Sequence, residues 1–383
     1  MPGYELINKK DELREINKIF ENGSVFFRQG FDKIRNGIFK TNDFEKLFFK
    51  KINSKYALAV TSGTAALRVA LSTLNLKAND EIITQAFTFV ATVEAIIESG
   101  AKPICCEIDE TLNMSPDDLE KKITKKTKAV ILVHMLGTSG NLNRIKKICR
   151  KKSITLIEDT AWGLGGKYNN KYLGTHGQIG TFSFDYAKAI TTGEGGMIVF
   201  KNKKDFLKAK AWHDHGHENN PKVPRWEDTR NSSGFNYRFT EIQAAIGIAQ
   251  LKKLSKIISL QRKNSKKIWS EIKNLKGVFL RKSPNNCFQT FDALVIKFHS
   301  KEKAIKCRNE LVKRGLGTKI LPEATTWHFA GDWEHIKLGN KRKDLKFNES
   351  RKILEKHLSI PINCFMTNKN ITNIYLSIKK ILD

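Results

Sequence analysis

Acids and prolines are scarce in this sequence: 39 Asp and Glu stand against 68 Lys and Arg, and there are eight prolines in 383 residues. Long apolar runs are missing altogether. No segment approaches the roughly 20 consecutive apolar residues that a membrane-spanning helix needs, which argues against a membrane protein. Met1 to Phe20 is charged and holds no signal-peptide core, so a cytoplasmic protein is expected. The six cysteines form neither a CxxC pair nor a zinc-ligand spacing, which argues against a disulfide scaffold and a zinc module. They read as free thiols in a reducing compartment. No internal repeat is apparent. With 40% hydrophobic residues the chain is globular, and its length suits two domains.

The formal charge of +29 is what the shortage of acids leaves behind. A nucleic-acid binder concentrates such charge in a patch or tail with interleaved aromatics. Here the lysines are spread along the chain on helix-like faces, such as Lys146, Lys147, Lys151, Lys152 and then Lys252, Lys253, Lys256. No helix-turn-helix, finger or RNA-binding motif accompanies them. The expectation is solvated faces, with no specific nucleic acid and no membrane as partner.

What is present is an alternation of short β-rich runs with amphipathic stretches. Tyr56 to Val60 reads as a strand that runs into Ser62-Gly63-Thr64-Ala65-Ala66, small residues ahead of a helix, where bare backbone amides make a phosphate cradle. A plain capped helix has the same look. Strands follow at Glu81–Thr84, Pro103–Cys106, Ala129–Val133 and Ile154–Ile157, with helices at 89–98, 116–123 and 142–152 between them. That rhythm predicts an α/β fold with a mainly parallel sheet, its site beyond the strand C-termini. Phe87 and the pair Glu158-Asp159 fall at such strand ends.

Residues 179–184 read as another buried strand, and Met197 to Phe200 as the next. Between them lies one lysine, Lys188, among small residues, followed by Thr191, Thr192 and the glycines 193, 195 and 196. A lysine held there would be desolvated, with a lowered pKa and a nucleophilic amine. This stretch alone admits two readings, a Schiff-base lysine and an ordinary snorkelling one. Further on, His213, His215 and His217 alternate without a carboxylate or thiolate at metal-ligand spacing, so no metal is assigned. Residues 219–233 read as a polar, mobile loop. A long helix from Thr240 to about Lys267 leads from a large domain, 1–255, into a smaller α+β domain, 256–383.

Taken together and in order, several of these pieces resemble the DegT/DnrJ/StrS sugar aminotransferases. They are Ser62-Gly63-Thr64-Ala65-Ala66, Phe87 with Thr88-Phe89-Val90-Ala91-Thr92, Glu158-Asp159, Ser183-Phe184 with Lys188, the 191–196 run, and Gly234-Phe235-Asn236-Tyr237-Arg238. Within that family the chain is most similar to the enzymes that make 8-amino-3,8-dideoxy-manno-octulosonate, through stretches such as Met1–Leu6, Asp214-His215-Gly216-His217 and Thr326-Trp327-His328. The resemblance implies a fold-type I enzyme of the aspartate aminotransferase kind using pyridoxal 5′-phosphate (PLP). It implies Lys188 as the covalent PLP lysine and proton carrier, and Asp159 as the carboxylate facing the pyridine nitrogen. Phe87 would lie on the ring face. Gly63, Thr64 and Ser183 would hold the phosphate, joined by Asn236 from a neighbouring subunit of a homodimer with shared sites.

One position departs from the pattern. Trp162 stands where the family usually has a glutamine that donates to the cofactor's phenolic oxygen; an indole N–H donates but cannot accept. By resemblance the donor is glutamate and the acceptor 8-oxo-3-deoxy-manno-octulosonate, for surface polysaccharide, with Arg238, His215, His217 and His328 near it. The alternatives are a nucleotide-linked 4-keto-6-deoxy sugar as acceptor, or a non-catalytic PLP-bound regulator, which Trp162 keeps open. A PLP sugar dehydratase would have histidine at Lys188.

Overall fold

The computed structural model describes every residue except Met1, Pro221, Asn231 and Ala324. The first of these opens the Met1–Leu6 stretch, and Pro221 and Asn231 belong to the expected 219–233 loop, so those positions lie outside the described residues.

Seven strands form the central sheet: β1 (Tyr56–Val60), β2 (Glu81–Gln85), β3 (Lys102–Cys106), β4 (Thr127–Val133), β5 (Thr155–Asp159), β6 (Ile179–Ser183) and β7 (Gly196–Phe200). Their spatial order is β1-β7-β6-β5-β4-β2-β3. β2 through β6 pair in parallel, whereas β7 runs antiparallel to both β6 and β1. The strands are apolar on both faces because helices cover both sides of the sheet, which is why they read as continuous runs rather than as alternation. The reversal at β7 turns the chain at the C-terminal edge of the parallel strands, and Lys188 lies in that connection.

The helix Gly63–Ser72 follows β1 directly. Ser62 caps it, its hydroxyl accepting the Ala65 amide at 3.0 Å. The helix Val90–Glu98 follows β2 in the same way, so two helix N-termini meet the edge where Lys188 sits. The long helix runs Glu241–Ile272 and opens with a capping box between Thr240 and Gln243. Its first half, through Ile258, packs with Phe44, Phe48 and Phe184 against the sheet. Ile268 and Ile272 belong to a second core.

That second core lies behind a three-stranded antiparallel sheet, β8 (Val278–Leu280), β9 (Ala293–Phe298) and β10 (His357–Pro361), covered by the helices Lys301–Lys313 and Asn368–Leu382. The C-terminal part also reaches back. Ile320, Leu321, Phe329 and Phe347 are buried in the core against the main sheet. A small ribbon of Lys167–Tyr168, Lys171–Tyr172 and Cys287–Phe288 was not expected, since two-residue strands carry no periodic signal.

The described residues of the 219–233 segment, expected as a polar mobile loop, run as a loop with one short 3-10 turn at Arg225–Glu227 and several fixed contacts. Asp228 accepts the amides of Asn219 and Asn220 at 2.7 and 3.1 Å, and Arg225 binds Asp214 through both terminal nitrogens. Polar composition marked the segment as a loop, and within it Arg225 and Asp228 pair with Asp214 and His217. None of the six cysteines forms a disulfide among the described residues. Among the described residues no helix is long and apolar enough to cross a membrane.

Candidate active site

A cavity of about 230 Å³ opens where β4, β5 and β6 end against the two helix N-termini, lined by Lys188, Asp159, Trp162, Phe89, Ser183 and Gly63 among others. The Lys188 loop is held from several sides. Its amide donates to the Asp185 carbonyl at 3.0 Å, and Phe184 exchanges backbone bonds with Thr192 and Gly195. Its carbonyl accepts from Gly3 at 3.1 Å. A Cβ on Gly3 would stand 2.6 Å from that oxygen, so the N-terminal segment can approach only through glycine.

Lys188 is 9% exposed and its Nζ lies 3.4 Å from the centroid of the Trp162 ring. Burial lowers its pKa to about 8; Asp185 opposes that shift and Lys319 adds to it. Lys319 reaches the same indole, 4.6 Å from its centroid, while paired at 2.5 Å with Asp292.

Asp159 ends β5, 6% exposed. Its two oxygens accept from Thr92 Oγ1 at 3.0 Å and from the Ala161 amide at 3.1 Å. Burial raises its pKa, and those two donors only partly offset this. A cationic N–H placed beside it would be bound strongly. Glu158 points to the other face. It accepts from His134 Nε2 at 2.8 Å and from the amides of Gly174, His176 and Gly177 at 3.0, 2.6 and 2.6 Å. Burial alone would raise its pKa, but these donors bring it to about 2.

At the cavity's other wall, Gly63 and Thr64 begin a helix, so their amides have no intrahelical acceptor. A Cβ on Gly63 would come within 2.8 Å of Ser183 Cβ, so only glycine keeps amides and hydroxyl together there. Free amides, a hydroxyl, an aromatic face, a buried carboxylate and a buried lysine form a donor set that fits PLP: anion cradle, ring slot, partner for a ring N–H, and amine for the carbonyl.

Phe87 does not belong to that set. It is fully buried, its backbone bridged to Phe329, and the cavity is lined instead by Phe89, 38% exposed. The chain leaves β2 after Gln85 and enters the helix at Val90, so side chains two residues apart there do not share a face. Phe89 stacks on Trp327 with ring centroids 6.3 Å apart and lies 5.2 Å from His328. His328 is also near Trp162, at 6.4 Å.

The other three residues expected near the substrate stand apart from this cavity within the chain. Arg238 binds Asp214 at 2.6 Å, beside Arg225 and Gln29. His217 Nδ1 lies 3.3 Å from Asp228, and the exposed His215 adopts φ +54. Asn236 is exposed and bridged to Asp214, away from Lys188. The residues missed by sequence reading are Phe89, Thr92, Lys319 and Asp292. Phe89 and Thr92 lie inside a quoted motif; Lys319 and Asp292 sit in no motif and meet the site only through folding.

Residues 28–379 match the model of the DegT/DnrJ/EryC1/StrS aminotransferase family. The chain is 35% identical over 357 residues to an uncharacterised protein of Methanocaldococcus jannaschii, covering 90% of each. It is 38% identical over 277 residues to the GDP-perosamine synthase of Escherichia coli O157:H7, covering 72% of this chain and 74% of that one. The fold is similar to that of an aminotransferase from Psychrobacter cryohalolentis, with a TM-score of 0.84 at 24% identity over 98% of this chain and 97% of that one.

Proposed function

The chain belongs to the DegT/DnrJ/EryC1/StrS aminotransferase family, and from that premise we propose that it moves the amino group of glutamate to the terminal carbon of 8-oxo-3-deoxy-manno-octulosonate. As a family member it is a PLP-dependent sugar aminotransferase. PLP, when bound, supplies a conjugated ring that takes up the electron pair of a breaking C–H bond and stores the amine between half-reactions.

One observation carries the assignment of the site: a buried lysine and a buried carboxylate line one cavity beneath a glycine-started helix. Lys188 Nζ binds the cofactor and moves the proton at the substrate carbon that bears the amine. With a pKa of about 8, roughly one amine in ten is free at neutral pH, against a few in ten thousand for an ordinary lysine. Asp159, aimed by Thr92 and Ala161, receives the ring nitrogen's N–H and keeps that proton in place. The Gly63 and Thr64 amides and the Ser183 hydroxyl hold the phosphate. Phe89 takes the ring-face position expected of Phe87.

Asn236 reaches a cavity only in a second copy, and Arg238, His215 and His217 lie on the same exposed loops. Phe235, 55% exposed, and Trp226, 84% exposed, give that surface apolar area for a homodimer to cover. Mixing Lys188→Ala with Asn236→Ala subunits tests it. Each parent is inactive or nearly so, and random exchange should restore about a quarter of wild-type activity, because half the dimers are mixed and each has one intact site. No rescue after confirmed exchange would place each site within one chain.

The octulosonate reading is supported by resemblance outside the cofactor motifs and by Trp162, which narrows the cavity and favours a slim terminal aldehyde over a ring ketone. A second reading, a nucleotide-linked 4-keto-6-deoxy sugar, is favoured by the similarity to a GDP-perosamine synthase. The reverse half-reaction decides between them. The visible band of the loaded enzyme should decay quickly with an 8-amino octulosonate and not with 4-amino nucleotide sugars. The opposite order would discard the octulosonate and keep the transaminase.

A further inference from the structure

Trp162 carries two ammonium groups on one indole, and only one has been given a task. Lys188 binds the cofactor. Lys319 comes from a different part of the chain, beyond the helix Lys301–Lys313, and its side chain is 12% exposed. Its ion-pair partner among the described residues is Asp292, itself 5% exposed, and no well-aligned hydrogen bond accompanies the pair. A buried ion pair of this kind is a poor source of stability, since apolar residues of the same volume do as well or better. Three N–H donors face one carboxylate oxygen, so the ammonium retains capacity for a second anion.

As one chain builds it, the cavity next to it holds no cation but Lys188 for an acidic substrate. Its lining includes three acids, Asp159, Asp185 and Glu194, and one lysine, Lys188. The amides and hydroxyl at Gly63, Thr64 and Ser183 would be taken by the cofactor's phosphate. A carboxylate entering this space would meet more acids than bases from this chain's own lining, so a further cation is needed. Lys319, in contact with the Trp162 wall and close enough to depress Lys188, is placed to do so.

We propose that Lys319 is a specificity-determining residue that receives a carboxylate of the acidic substrate, with Asp292 holding the ammonium in position between turnovers. The inference rests on the transaminase reading of the cavity. The carboxylate belongs either to the glutamate donor or to the sugar acid, and the two arms of the test separate them.

The test uses PLP-loaded wild type, Lys319→Met and the double variant Lys319→Met/Asp292→Asn, each checked for its cofactor band. The double variant removes both charges, so it keeps the comparison clean if the single one misfolds around an unpaired Asp292. Calorimetry follows glutarate, a dicarboxylate without an amine that binds but does not react. Kinetics follow KM for glutamate and, in reverse, for an 8-amino octulosonate. Loss of one charge-assisted contact should raise the affected constant about tenfold to a hundredfold in both variants. A rise for glutamate and glutarate identifies the donor's carboxylate, and a rise for the amino sugar identifies the acceptor's. The proposal is overturned if no constant changes, or if the loss in Lys319→Met is reversed by adding Asp292→Asn, which would trace it to the orphaned acid. Should wild type react with glutamate but not with the octulosonate, the sugar reading falls while glutamate and glutarate still decide the role of Lys319.

Discussion

Glu158 and Asp159 are neighbours on one strand, both buried, and they are treated in opposite ways. Successive side chains on a strand point to opposite faces. Glu158 therefore enters the turn 174–177 beneath the sheet, where three amides and the His134 ring satisfy it. Asp159 enters the cavity, where Thr92 and Ala161 supply two donors and burial leaves its charge under-compensated. A carboxylate that closes a turn is fully bonded by the protein's own groups. A carboxylate meant for a ligand is left with interaction to spare, and the difference is visible as opposite displacements of pKa.

The sharpest way to break the comparison is to remove each charge. Asp159→Asn should lower turnover by about a thousandfold, since the electrostatic partner of the ring nitrogen is lost, while the apoprotein unfolds no more easily than wild type. Glu158→Gln should do the reverse. It should lose about 3 kcal/mol of stability in urea unfolding of the apoprotein and keep turnover per folded molecule within a few-fold. The pH dependence has opposite signs as well. The folded pKa of Glu158 lies below its unfolded value of 4.5, so its contribution is complete above pH 4.5 and is lost as pH falls towards about 2. The folded pKa of Asp159 is raised, so its contribution is complete below the unfolded value and is lost as pH rises through the folded one. Near-normal turnover in Asp159→Asn would remove the contrast.

A smaller effect separates Phe87 from Phe89, which also stand close in sequence and face different surroundings. Phe89→Leu should weaken PLP binding several-fold through loss of a ring face, with stability unchanged. Phe87→Leu should lose about 1 kcal/mol of stability with PLP affinity unchanged, as a repacked core position does. Equilibrium titration of the apoprotein with PLP, alongside urea unfolding, reads both. A weakened affinity in Phe87→Leu alone would return the ring-face position to it.

The order of strands and helices was legible because it rests on local signals. Apolar runs between glycines and small residues mark β1 to β7, Ser62 marks a helix start, and the 3.6-residue stripe marks the long helix from Thr240 to about Lys267. Their placement at strand ends also made Lys188 and Asp159 readable as candidates. The ribbon joining 167–172 to 287–288 had no such signal, and neither did the contacts of Arg225 with Asp214 and of Asn219 with Asp228.

By itself, then, the sequence determined an α/β chain with a lysine, a carboxylate and a helix N-terminus at one edge of its sheet, because periodicity and caps act over a few residues. Tertiary structure decided which aromatic lines the cavity, which carboxylate stays unsatisfied, and that Asp292 and Lys319 arrive beside Trp162. Those outcomes depend on the direction a side chain takes where a strand bends into a helix, and on contacts between segments more than a hundred residues apart. No local propensity encodes either one.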